Sequence, residues 1–169
     1  MRAARIFLAI VVTLAMQTTL GRFIIRGPVA IDLLLVVVVY VALTSGPAAG
    51  LLSGTFAGLA QDALSSSVIG IGGLAKTLVG FVAGIIGTQF IVTASLPRFL
   101  VFFAATVLHA VVFMGLYVLL DLRHFGEPYA AVAGQATANA VVGVVAFQLV
   151  ELLPGAVERR RAGKSRLRR

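Results

Sequence analysis

The sequence predicts an all-α, polytopic membrane protein with six transmembrane helices and both termini cytoplasmic. Three observations carry that prediction. Of 169 residues, 60% are hydrophobic and only 12% charged, too few charges to coat a soluble domain of this length. The apolar residues fall into successive runs parted by short segments rich in Gly, Pro, Ser, Thr or Arg. The basic residues gather towards the ends, seven of the 14 Lys and Arg lying in positions 159–169. Length alone suggests one domain, a six-helix membrane unit over residues 1–155, followed by a basic cytoplasmic tail at 156–169.

The first helix lies within residues 1–20. Arg2 and Arg5 precede an apolar run at 6–15, a pattern shared with secretory signals. More apolar segments follow it rather than a soluble domain, so it is read as a retained span. Residues 21–28 form a loop carrying Arg22 and Arg26. The second helix covers 29–43, and its centre at 33–41 is almost pure Leu and Val. β-Branched residues are poor helix formers in water, but in lipid the backbone must satisfy its own hydrogen bonds and the helix wins. The segment is short against the roughly 20 residues of a full span. It is therefore expected to tilt little or to be shielded at one end by protein. Asp32 stands in its first turn, where the helix dipole stabilises an anion, and a contact role for the same carboxylate remains open.

Thr44-Ser45-Gly46-Pro47 is a tight turn, with proline well placed to open the third helix, 47–63. From the turn into that helix run Gly46, Gly50, Gly54 and Gly58 at a four-residue step that next reaches Asp62. The fourth helix, 69–92, repeats the step with Gly72, Lys76, Gly80, Gly84 and Thr88. Residues four apart are neighbours on a helix, so each row is a strip with few side chains. In lipid such a strip admits another helix at close range. The two helices form an antiparallel hairpin, and at least one row is expected to be buried against protein. Structural packing alone would account for the rows as well as a partner-binding role would.

Residues 94–98 form a second turn, marked by Pro97. The fifth helix, 99–120, holds Phe99, Phe102, Phe103, His109, Phe113 and Tyr117. After the loop at 121–128 the sixth helix runs over 129–153 and is expected to break at Pro154-Gly155. Lys and Arg counts orient the bundle. With both termini inside, ten basic residues lie on the inner side and three, Arg22, Arg26 and Arg123, on the outer side. The two arginines of the first outer loop run against the rule and are candidates for an external contact.

Ionisable groups inside spans are functional candidates. Lys76 is expected to pair with Asp62 or to share a hydrogen-bond network with it, because Asp62 ends its helix where the dipole disfavours an anion. Asp32, Asp62 and Lys76 thus form the candidate intramembrane polar network. Gln135 and Asn139 share a face of helix six, Gln148 and Glu151 lie near its inner end, and His109 stands mid-span in helix five. Interhelical hydrogen bonds are the expected role of Gln135, Asn139 and His109.

There is no cysteine, and His109 and His124 lie in different segments, so no metal site or cofactor is expected. No catalytic triad assembles, and Gly70-Ile71-Gly72-Gly73 follows no strand, which argues against a phosphate loop. An enzyme is not expected. A net charge of +8 is compatible with nucleic-acid binding, but the tail lacks aromatics for base stacking. Arg159, Arg160, Arg161 and Lys164 are read instead as a lipid-surface tail against anionic headgroups.

Several stretches resemble the MreD family of bacterial rod shape-determining membrane proteins. They are Asp32-Leu33-Leu34-Leu35 with Tyr40, Gly46-Pro47, Gly50-Leu51-Leu52-Ser53-Gly54, Gly58-Leu59-Ala60-Gln61-Asp62, and the run from Gly70-Ile71-Gly72-Gly73 through Lys76 to Gly80. One departure is that Asp32 follows isoleucine, where the family typically has proline; here the proline is Pro28. The resemblance implies a non-catalytic scaffold of the bacterial inner membrane. Its partners would be MreC directly, and MreB filaments and the wall-elongation transpeptidase and glycosyltransferase within the same complex, with a homodimer also open. It also implies a fold similar to the six-helix substrate-binding S-component of energy-coupling-factor transporters, and vitamin binding is the alternative function on that ground. On the scaffold reading, Gly46, Gly50, Gly54, Gly58, Gly72, Gly80 and Gly84 would receive the MreC helix or a second copy.

Overall fold

The computed structural model describes the backbone of residues 2–24, 31–65, 68–90, 94–123 and 125–166, with side chains at 3–19 and from 31 to 152 within those ranges. Arg26 and His124, and the side chains of Arg22 and of the tail residues Arg159, Arg160, Arg161 and Lys164, lie outside the described set. The described residues form six helices and no strand: α1 (Arg2–Ile24), α2 (Leu33–Ser45), α3 (Pro47–Leu64), α4 (Ile71–Gln89), α5 (Ser95–Leu119) and α6 (Tyr129–Arg166).

The element order agrees with the sequence, and the ends differ for physical reasons. α5 begins at Ser95, so Pro97 lies inside its first turn, where its missing N–H has no intrahelical partner to lose. α6 does not break at Pro154-Gly155 but stays helical to Arg166. A proline deletes one backbone bond of a helix, and the bonds on either side carry the chain onward.

α2 is the central post. Thirteen residues make it about 20 Å long, well short of a ~30 Å hydrocarbon layer. Its apolar side chains cover the whole circumference, the pattern of a helix buried on all sides. Leu35, Val36, Val39 and Ala42 join Val79 and Ala83 of α4, Phe102 and Ala105 of α5, and Ala140 and Phe147 of α6 in the main core. Leu34 and Val38 face the other way, meeting Ile10 of α1 and Ala57 of α3. Protein thus shields α2 along its length, not at one end only.

Among the described residues three helices are long and apolar enough to cross a membrane: Ile71–Gln89, Ser95–Leu119 and Tyr129–Leu152. Ala3–Thr19 and Leu33–Ser45 are apolar but shorter.

The α3–α4 hairpin is the tightest association in the molecule, and the glycine rows make it. The rows face each other. A Cβ on Gly50 would collide with the Gly80 carbonyl, and one on Gly80 with the Gly50 carbonyl. A Cβ on Gly54 would strike the Lys76 carbonyl, and one on Gly58 would lie 2.7 Å from the Gly72 oxygen. A Cβ on Gly84 would meet the backbone of Pro47. The expectation that at least one row is buried against protein is met by both, and the strips are filled by each other rather than left open to a partner's helix. Gly46 has a different task. Its φ of +89°, at the junction of α2 and α3, favours glycine. Gly143 of α6, which the sequence reading passed over, lies under the Phe102 ring, 2.6 Å from where its Cβ would be.

Candidate functional site

The start of α2 lies inside the bundle, and this sets a chemical problem. The first N–H groups of a helix have no intrahelical acceptor. In an apolar interior each one left unpaired costs free energy. Side chains from three helices solve it. Asp32, the N-cap, accepts from the Leu35 N–H through Oδ1 at 3.0 Å. Gln17 of α1 accepts from the Leu34 N–H at 3.1 Å. Asn139 of α6 accepts from the Asp32 N–H at 3.0 Å and donates through Nδ2 to Thr106 Oγ1 on α5 at 3.3 Å. Thr106 in turn donates to the Phe102 carbonyl at 2.9 Å.

The same carboxylate holds the buried cation. Lys76 Nζ on α4 lies 2.6 Å from Asp32 Oδ2 and 3.2 Å from His109 Nε2 on α5. Lys76 is 2% exposed and Asp32 5%, so the pair is screened by protein rather than water. Asp32 thus fills both roles left open by the sequence, helix cap and ion-pair partner.

The expected Asp62–Lys76 pairing is corrected by this geometry. Asp62 Oδ2 accepts from the N–H groups of Gly70 and Gly73 at 2.9 and 3.0 Å, at the start of α4. Its charge sits at the positive end of the next helix, which relieves the unfavourable end of its own. Gly72 leaves room for this, since a Cβ there would run into the Asp62 carboxylate. Asp32 and Lys76 therefore form one network with His109, Asn139, Thr106 and Gln17, while Asp62 serves the α3–α4 junction.

His109 continues into a row of rings. It stacks on Phe113 at 5.7 Å, Phe113 meets Tyr117 at 4.8 Å, and Tyr117 meets Phe125 edge-on at 6.0 Å. A second polar cluster closes the opposite end of the bundle. Arg98 on α5, 5% exposed, makes a two-pronged ion pair with Glu151 on α6, one prong at 3.0 Å, and stands over the Phe147 ring at 4.5 Å. Phe147 also touches Tyr40 of α2 at 4.5 Å. Gln148 reaches Ser95 at 3.4 Å, and Gln135 is half-buried on the Asn139 stretch of α6. Gln17, Thr106 and the Arg98–Glu151 pair escaped the sequence reading. A lone polar residue within each apolar run was the available signal.

Among the described residues no group of three or more His, Cys, Asp or Glu is placed to hold a metal. The chemistry present is that of cohesion, a buried ion pair and side-chain amides that bind one helix to the next.

The family model described as rod shape-determining protein MreD matches residues 2–154. The chain belongs to the MreD family. The match takes in Asp32, Asp62, Lys76 and both glycine rows, and stops short of the basic positions 159–169. With the apolar helices above, it marks a multi-pass membrane protein. No curated protein and no solved structure matches the chain.

Proposed function

We propose that this MreD-family chain is a non-catalytic scaffold of the cell-elongation machinery in the bacterial cytoplasmic membrane. In this reading six helices span or insert, both termini are cytoplasmic, and the chain binds MreC while linking MreB filaments to lateral peptidoglycan synthesis. The family match over residues 2–154 carries the proposal. The interior supports it, since the ionisable groups on α2, α4 and α5 are bonded to one another.

The glycine rows are consumed within the hairpin, so MreC must meet other surfaces. The outer faces of α5 and α6 offer bulky apolar residues such as Val111, Val118, Val141 and Leu149. Deleting the gene in the bacterium that encodes it should turn rods into rounded cells, and a tagged chain should co-purify with MreC. Rods that persist after deletion, or a tagged chain that restores rods without holding MreC, would remove the reading.

A further inference from the structure

α1 sits against the bundle through Ile10, which packs with Leu34, Val38 and Ala57. Nearer its N-terminus Ile6 packs on the same cluster and the Phe7 ring meets Phe56 of α3 at 5.3 Å, and a groove opens on either side of Ile6. One groove, of about 560 Å³, runs between α1, α2 and α6 and is walled by Val36, Val37, Val41, Ala146 and Val150. The other, of about 500 Å³, runs between α1 and α3 and is walled by Phe7, Ala49, Leu52 and Phe56. Ile6 and Ser45 line both, so the grooves meet beneath the end of α1.

Most polar groups of these grooves gather at one end. Arg5, Thr44 and Ser45 lie at the terminal rim, where α1 begins and α2 ends; deeper in, the first groove has the half-buried Tyr40 and the second has Ser53, whose hydroxyl donates to the Gly50 carbonyl. The first turn of α1 contains no acid to neutralise Arg5. Each volume falls within the roughly 300–1,000 Å³ of small-molecule sites. A helix, about 10–12 Å thick with its side chains, does not fit two grooves divided by one isoleucine.

We propose that the paired grooves hold one anionic phospholipid, with an acyl chain on either side of Ile6 and the phosphate against Arg5. Two apolar slots meeting at a cationic rim match two tails meeting at a negative headgroup. The site deepens the proposed topology in one respect: it assigns the lipid to the inner leaflet, where anionic headgroups attract basic side chains.

Native mass spectrometry of the full chain, in detergent supplied with equal phosphatidylglycerol and phosphatidylcholine, tests the site. Wild type should retain one phosphatidylglycerol in preference to phosphatidylcholine by about fivefold, the worth of one arginine near an anionic headgroup. Arg5→Gln should erase the preference. Ala9→Trp, which fills the first groove, should expel the lipid, whereas Val111→Trp on the exposed face of α5 should not. Equal retention of the two lipids, a preference that survives Arg5→Gln, or a polypeptide in place of lipid would overturn the proposal. Should Ala9→Trp fail to fold, Arg5→Gln decides alone, because Arg5 is exposed. Labelling of Ala3→Cys in intact cells tests the topology separately, since the lipid preference is read in detergent whichever way the chain faces.

Discussion

Lys76 and Asp32 are 44 residues apart in sequence, yet the ammonium on α4 lies 2.6 Å from the carboxylate that caps α2. Neither partner stands alone in a sealed interior. Removing one charge and leaving the other is the costly change, on the order of 3–5 kcal/mol for a buried pair. Lys76→Met and Asp32→Ala should therefore each sharply lower the folded yield and the unfolding midpoint. Lys76→Met combined with Asp32→Asn should lose less than the two single changes added together, because Asn still caps the helix while the charges leave as a pair. Additive losses in a denaturant or thermal series would show that the two groups are not coupled.

Asn139 is completely buried and bridges α2 and α5 from α6. Asn139→Ala strands the Asp32 N–H, with a cost of about 1–3 kcal/mol for an orphaned buried group. Asn139→Leu should be no better, although it restores volume. A thermal shift series distinguishes this from a packing role, in which Leu would rescue and Ala would not.

Gly54→Leu and Gly58→Leu are expected to be folding variants. Their new side chains would strike the α4 backbone, a collision beyond the ~1–3 kcal/mol of ordinary overpacking. Gly115→Leu, where nothing lies within 4 Å of an added Cβ, should behave as wild type. Size-exclusion profiles of the detergent-solubilised protein check both. A Gly54→Leu protein that is monodisperse and as stable as wild type would contradict the close hairpin.

The hairpin register can be read directly. Thr55 and Thr77 face each other with hydroxyl oxygens 2.8 Å apart, and the chain has no cysteine of its own. A Thr55→Cys/Thr77→Cys protein should therefore form an intramolecular disulfide under mild oxidation, seen as a gel shift reversed by reductant. Thr55→Cys paired with Phe81→Cys, one turn farther along α4, should not.

Helical periodicity made much of this architecture legible. The order of six helices, the α3–α4 hairpin and its glycine faces follow from four-residue spacing and short turns. Spacing identifies a face but not the neighbour that covers it, and it is α4 lying on α3 that closes both rows. The hairpin brings the helices of Lys76 and Asp62 together, so spacing alone favours that pair. The actual partner of Lys76 depends on a short α2 sinking beside α4, a tertiary event with no local signature beyond unbroken apolarity. Asp62 illustrates the same point, since the sequence showed that its charge needed relief but not that backbone N–H groups would supply it. The helix beyond Pro154 marks the limit of reading a proline as a stop.

The interlocked backbones of α3 and α4 have a mechanical consequence. Where carbonyl sits in notch, one helix cannot slide past its neighbour without first lifting off it, so the hairpin behaves as a single stiff strut. α1 has far less to hold it. Force arriving on this protein would pass along the strut almost undeformed, and the first helix is where the structure would yield.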